Sequence, residues 1–226
     1  MDCILLAGGF GTRLGKLTKN LPKPMLKVNK LPFIEILVKK ICKSKKIKKI
    51  IISTHYKTEI IEKYFKFKPY PVKILKEKVP LGTGGAIKNC IKICKSKKVL
   101  ILNGDTFVNI NFSNYIKKNI NKKKNIMLLV KKKDNSRYGT IIIKKEKIYF
   151  SKFGKNVKSN KINAGVYIVN KSIFKSFKKV KFSFENFIAK KINHKDWDFK
   201  ISNSLFLDIG VKKDYFYAKK KLKKFE

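Results

Sequence analysis

LAGGFGTRLG, residues 6–15, places Gly8, Gly9, Gly11, Gly15 and Arg13 directly behind the apolar residues Cys3 to Leu6. The chain has only 12 glycines in 226 residues, so this concentration has a cause. Glycine weakens regular elements and is retained where backbone must bend or approach a ligand closely. A continuous apolar run predicts a strand buried on both faces, and open α/β sheets bind ligands at the carboxyl ends of their strands. Residues 3–7 are therefore expected as a strand buried on both faces, with the glycines forming the turn at its end. The turn is no P-loop, which requires GxxxxGK[ST]. It also fails the dinucleotide pattern GxGxxG, because Leu14 takes the last glycine position. Free N–H groups beside one arginine still suit a polyphosphate.

Outward from this strand, periodicity predicts alternating strands and helices. Apolar residues at helical spacing give a helix over 33–42, followed by a strand over 50–53 and a helix over 58–65. A strand over 72–75, a helix over 84–94 and a strand over 99–102 follow, the last ending in Asn103-Gly104-Asp105. Beyond Asp105 the strands are closely spaced, at 126–130, 138–143 and 162–169. A helix near 184–192, strands within 199–207 and a helix from 212 complete the chain. The alternation predicts an α/β fold with a largely parallel sheet, helices on both faces and a mixed-sheet second half. No repeat or Pro/Ser-rich linker divides it. Residues 1–226 are expected to form one domain, with sub-regions 1–110 and 111–226.

Net charge is +43, from 57 basic and 14 acidic residues. Such a surplus invites a nucleic-acid or anionic-membrane partner. The lysines, however, run along the whole chain, whereas nucleic-acid readers gather charge in a patch or arm beside an aromatic platform. Only Arg13 and Arg137 are arginines, and Lys, Asn, Ile and Phe share A/T-rich codons, so nucleotide composition accounts for the lysines. Neither a nucleic-acid nor a membrane partner is expected. Cys3, Cys42, Cys90 and Cys94 form no CxxC, and His55 and His194 supply no zinc spacing. With an N-terminal apolar stretch too short for a leader or a span, the chain reads as cytoplasmic.

Further motifs follow the first: PKPM (22–25), PLGTGGAIKN (80–89), LNGDTF (102–107), YGT (138–140), NAGVY (163–167), SFENF (183–187) and LDIGVKKDY (207–215). In this order, and over nearly the whole chain, they resemble the sugar-1-phosphate nucleotidyltransferases, also called nucleotide-sugar pyrophosphorylases. PLGTGGAIKN, NAGVY and SFENF are similar to the branch that guanylylates D-glycero-α-D-manno-heptose 1-phosphate. The resemblance implies a Rossmann-like fold with a mixed, mostly parallel central sheet flanked by helices. It implies Mg²⁺-dependent nucleotidyl transfer from an NTP, GTP in that branch, to a sugar 1-phosphate. Pyrophosphate leaves, and the NDP-sugar serves surface glycan synthesis. UTP, CTP or dTTP with a hexose or N-acetylmuramate 1-phosphate would be the same chemistry with another pair. The partners are the NTP and the sugar 1-phosphate, and the family also admits a homodimer.

The resemblance carries over residue by residue. Leu6, Ala7, Gly8, Gly9, Gly11 and Thr12 fall on the nucleotide, with Arg13 on the departing pyrophosphate. Lys23 meets the α-phosphate and the incoming sugar phosphate. Gly82 and Thr83 also lie on the nucleotide side, Gly82 admitting the base and Glu77 facing its edge. Asp105 and Asp208 match the metal carboxylates, and Arg13, Lys23 and Asp105 form the catalytic set. Gly139, Lys155, Asn163 and Glu185 fall on the sugar-phosphate side. The chain departs from many relatives at Gly154-Lys155, where they carry Glu-Lys. A phosphate monoester has its second pKa at about 6, so the nucleophile is already ionised near neutrality. The chemistry therefore needs alignment and charge neutralisation rather than a general base, in keeping with motifs that contain no histidine.

Overall fold

The computed structural model describes residues 1–132, 134–144, 147–151, 159–193 and 195–225. In chain order the first half holds β1 (Asp2–Leu6), β2 (Lys27–Val28), β3 (Leu31–Pro32), α1 (Phe33–Cys42), β4 (Lys49–Thr54), α2 (Thr58–Phe65), β5 (Val72–Lys76), α3 (Gly82–Ile91) and β6 (Lys98–Asn103). The second half adds β7 (Thr106–Val108), α4 (Phe112–Asn119), β8 (Asn125–Lys131), β9 (Thr140–Lys144), β10 (Lys147–Ser151), β11 (Lys161–Asn170), α5 (Phe184–Lys191), β12 (Trp197–Ser202), β13 (Phe206–Asp208) and α6 (Lys212–Leu222).

β1 is central, as its uninterrupted apolar run requires. It pairs in parallel with β4 on one side and β6 on the other, Leu5 lying opposite Ile52 and Leu102. Strand order is β10-β9-β11-β6-β1-β4-β5, with β8 bridging β11 and β12. The segment β6-β1-β4-β5 is parallel, whereas β11 runs antiparallel to β6, β8 and β9. Side chains alternate across the sheet with the two-residue period of a strand. Cys3 and Leu5 enter one apolar layer with Ile34, Leu37 and Ile41 of α1. Ile4 enters the other with Ile87 and Cys90 of α3 and Phe184 and Ile188 of α5. Helices thus cover both faces, as the sequence predicts.

The expected elements form, with ends shifted by a few residues; the helix expected over 84–94 runs from Gly82 to Ile91. Five elements were not predicted: the two-residue strands β2 and β3, and β7, α4 and β10. β7 spans only three residues, too few for a period to register. α4 is capped by Asn111, whose side chain accepts from the Asn114 amide at 2.9 Å. The strands expected within 199–207 belong to two different sheets. β12 extends the main sheet beside β8, while β13 pairs antiparallel with β7. That short ribbon places Asp208 opposite Thr106, one residue beyond Asp105. Two carboxylates separated by a hundred residues of chain are brought side by side in this way.

Candidate active site

A cleft of about 300 Å³ opens at the carboxyl ends of β1 and β6. Nine sequence-predicted residues line it: Leu6, Ala7, Gly8, Gly9, Lys23, Glu77, Gly82, Thr83 and Asp105. Phe10, Asn103 and Gly104 line it as well. Gly11, Thr12 and Arg13 fall outside the lining. Gly11 takes φ +71° and turns the chain into a 3₁₀ segment, Thr12–Thr18, on which Thr12 and Arg13 are exposed. The turn is held by the Thr18 hydroxyl, which donates to the carbonyls of Gly11 (3.0 Å) and Gly15 (3.2 Å).

Lys23 arrives on the short turn Lys23–Met25, where Pro22 and Pro24 restrict the backbone. Its ammonium forms an ion pair with Asp105 Oδ2. Burial works to raise the Asp105 carboxyl, but Lys23, aided by the charge of Arg13, holds it below the ordinary carboxylate value. Asp208 has the opposite balance. Burial first, and then the negative charge of Asp105, push its carboxyl up to about 6. Two carboxylates that repel at close quarters form a place where a cation is wanted.

Glu77 is buried, and its own surroundings occupy both oxygens. Oε1 accepts from the Ser53 hydroxyl at 2.8 Å and Oε2 from the Leu81 amide at 3.0 Å. A Cβ at position 8 would lie 3.2 Å from Oε1, so Gly8 also serves to admit this carboxylate. Gly82, at φ +71°, has the Phe182 carbonyl oxygen where a Cβ would come within 2.7 Å. Its glycine is required by that contact as well as by the cleft.

Of the residues expected on the sugar side, Gly139, Asn163 and Glu185 do not line the cleft. Thr83 forms the link to them: its hydroxyl donates to Glu185 Oε2 at 2.8 Å and accepts from the Phe184 amide at 2.8 Å. Ser183 also donates to Glu185 Oε2, at 2.7 Å. Asn163 spans a bulge in β11, its Oδ1 accepting from the Gly165 amide and its Nδ2 donating to the Tyr167 hydroxyl. Gly139 accepts from the Asn163 amide at 2.8 Å. Lys155 and Gly154 lie outside the described residues.

Sequence reasoning passed over two residues here. Arg137 Nη2 lies 3.6 Å from Asp208 Oδ1 and also forms an ion pair with Asp214, so it joins the YGT segment to the second carboxylate. Its signal was available: it is one of only two arginines. Asn103 Oδ1 is buried in the cleft wall with no hydrogen-bond partner among the described residues. Its amide lies where a Cβ on Gly165 would come within 2.6 Å, which explains the glycine and its φ of +67°.

A cleft of about 300 Å³ at the ends of parallel strands, with glycine amides, one half-buried ammonium and a carboxylate that a second carboxylate adjoins, is the constellation of a phosphoryl- or nucleotidyl-transferring enzyme. The nucleotidyl transferase family model matches residues 2–224, and the chain belongs to that family. It is 39% identical over 222 residues to the D-glycero-α-D-manno-heptose 1-phosphate guanylyltransferase of Campylobacter jejuni, covering 96% of this chain and 98% of that protein. The enzyme of the same description from Aneurinibacillus thermoaerophilus is 37% identical, with 98% of each chain covered. HddC from Yersinia pseudotuberculosis, crystallised in complex with GMP-PN, superposes with a TM-score of 0.81 at 32% identity, covering 98% of this chain and 99% of that one. A UDP-glucose pyrophosphorylase from Acinetobacter baumanii, at 19% identity and a TM-score of 0.81, shares the fold.

Proposed function

We propose that this protein transfers GMP from GTP to D-glycero-α-D-manno-heptose 1-phosphate, releasing pyrophosphate and forming the GDP-sugar for a surface glycan. The observation that carries this reading is the convergence of Gly8, Gly9, Lys23, Glu77, Gly82 and Asp105 on one cleft. Near-full-length similarity to two heptose 1-phosphate guanylyltransferases supports the choice of substrates.

The task is to bring one phosphate anion onto another. Amides of the 8–12 turn bind the triphosphate, and Lys23 neutralises the α-phosphate as the sugar phosphate approaches. Arg13, exposed at the rim, meets the departing pyrophosphate with its planar fork. Glu77 is held rigid by Ser53 and Leu81, and each oxygen keeps a second lone pair with which to face the two donors of guanine. Gly139, Lys155, Asn163 and Glu185 serve the sugar. Residues 1–110 thus hold the nucleotide and 111–226 the sugar phosphate, within one domain. Free cysteines support a cytoplasmic setting, and no helix among the described residues is long and apolar enough to cross a membrane.

Asp105 and Asp208 fit a hard divalent cation, for which Mg²⁺ is our assignment. Among the described residues no three or more His, Cys, Asp or Glu side chains converge, so phosphate and water would supply its remaining ligands. When bound, such an ion neutralises phosphate charge. Pyrophosphate release measured for GTP, UTP, CTP and dTTP against heptose, hexose and N-acetylmuramate 1-phosphates tests the reading. Turnover with GTP and the heptose 1-phosphate is expected; turnover with UTP but not GTP would overturn the guanylyl assignment.

A further inference from the structure

A second cavity, of about 280 Å³, shares no lining residue with the active-site cleft. It lies between the end of α1 and the start of α4 and is lined by Lys40, Lys43, Ser44, Asn109, Asn111 and Ser113 together with Ile110 and Phe112. Lysines are everywhere in this chain, so two of them are not remarkable by themselves. What distinguishes the cavity is that each of its polar side chains can donate a hydrogen bond and none of its lining residues is acidic.

The asparagine acceptors are already occupied. Asn109 Oδ1 accepts from the Lys40 ammonium at 3.0 Å, and Asn111 Oδ1 from the Asn114 amide at 2.9 Å. Their NH₂ groups remain. At the start of α4, the amides of Phe112 and Ser113 have no acceptor within the helix. Ser44 is 2% exposed, and its hydroxyl has no hydrogen-bond partner among the described residues. A buried hydroxyl left unpaired is costly, and this one belongs to the cavity wall. Lys40 is half-buried over the rings of Phe107 and Phe225, and burial followed by the like charge of Lys43 lowers its pKa. One half-buried cation, Lys40, one exposed cation, Lys43, a helix N-terminus and an orphaned hydroxyl thus line one space with no acidic residue in its wall.

We propose that this cavity is a second anion site, which takes inorganic phosphate or the phosphate group of a small monoester. It adjoins the far end of the β7–β13 ribbon: the Asn109 amide donates to the Leu205 carbonyl at 2.8 Å, while Asp105 and Asp208 stand at the other end. An anion seated there would fix the end of the ribbon opposite the carboxylates.

The test is a titration of the intact protein, followed through the backbone amide resonances of Phe112, Ser113, Gly8 and Gly9. Inorganic phosphate is used in one arm and glycerol 1-phosphate in the other, with sodium chloride at matched ionic strength as the control. A saturable shift at Phe112 and Ser113 is expected, and the arm that saturates at lower concentration identifies the source. Lys43→Met should weaken it about tenfold, the loss of one charged hydrogen bond. Ser113→Asp places a carboxylate where the helix tolerates it, so the fold is retained, and it should abolish the shift. The responses of Gly8 and Gly9 should be unchanged in both variants. A shift that chloride reproduces, that never saturates, or that survives Ser113→Asp would overturn the proposal.

Discussion

The two glycine-rich segments, GGFG at 8–11 and GTGG at 82–85, have similar compositions and different reasons for them. In the first, a Cβ on Gly9 would meet nothing within 4 Å, and Gly8 and Gly9 face an open cleft. In the second, a Cβ on Gly84 would fall 2.2 Å from the Phe182 ring, and one on Gly85 2.3 Å from the Val180 carbonyl oxygen. Gly84 also donates its amide to the Phe182 carbonyl at 2.9 Å. In the first cluster Gly9 leaves space for something outside the chain, although Gly8 and Gly11 also lie close to Glu77, Lys23 and Thr18, while the second brings α3 against 180–182. Enrichment in glycine marks close approach; it does not say what approaches.

The largest effect that bears on this division lies across the cleft from the first cluster. Asp105→Ala should lower turnover by about a thousandfold. It should leave a folded protein, because losing the Lys23 ion pair is offset by relief of the repulsion felt by Asp208. Wild-type-like pyrophosphate release in that variant would remove the cleft from the chemistry. Gly85→Ala tests the second cluster and should cost about 2–3 kcal/mol in urea unfolding, as overpacking against backbone does. Unchanged stability would mean that the Val180 contact is not what this glycine serves.

Gly9→Ala should give the converse result, a KM for the nucleotide raised about tenfold with an unchanged melting temperature. A lowered melting temperature with normal KM would merge the two clusters into one class. The smallest effect concerns the carboxylate pair. The Asp208 carboxyl titrates at about 6 in the folded chain against an ordinary value of 3.8, so folding favours its protonated form. The stability it contributes is present below the ordinary value and is lost as pH rises through about 6. Without divalent cation, the protein should therefore melt lower at pH 7 than at pH 5 relative to Asp208→Asn, at about 2–4 °C per kcal/mol. Parallel melting curves for the two proteins would show that the pair is not under strain.

Much of the parallel half was legible because buried strands and amphipathic helices carry their periods in the residues themselves. Helices 33–42 and 58–65 form within the bounds read from the sequence. The cleft lining was legible for the same reason, since glycine turns and Asn-Gly-Asp stand where apolar strands stop. Arg137 could be singled out by its rarity but not placed beside Asp208, and Asn103 and Ser53 carried no local signal, because contacts between distant segments leave no mark in the local sequence. The resemblance sets Glu77 at the edge of the base, but its fixation by Ser53 and Leu81 depends on a neighbouring strand and a turn.

By itself, then, the chain determined the buried strand that leads into LAGGFGTRLG, the glycine turn after it and the α/β alternation around it. Each of these rests on the spacing of apolar residues and on backbone sterics, which act over a few positions. Only the tertiary structure decided that Asp208 stands beside Asp105, that Thr83 reaches Glu185, and that the second glycine cluster packs against 180–182. Those depend on strand pairing and close packing between segments distant in the chain, which no local period records.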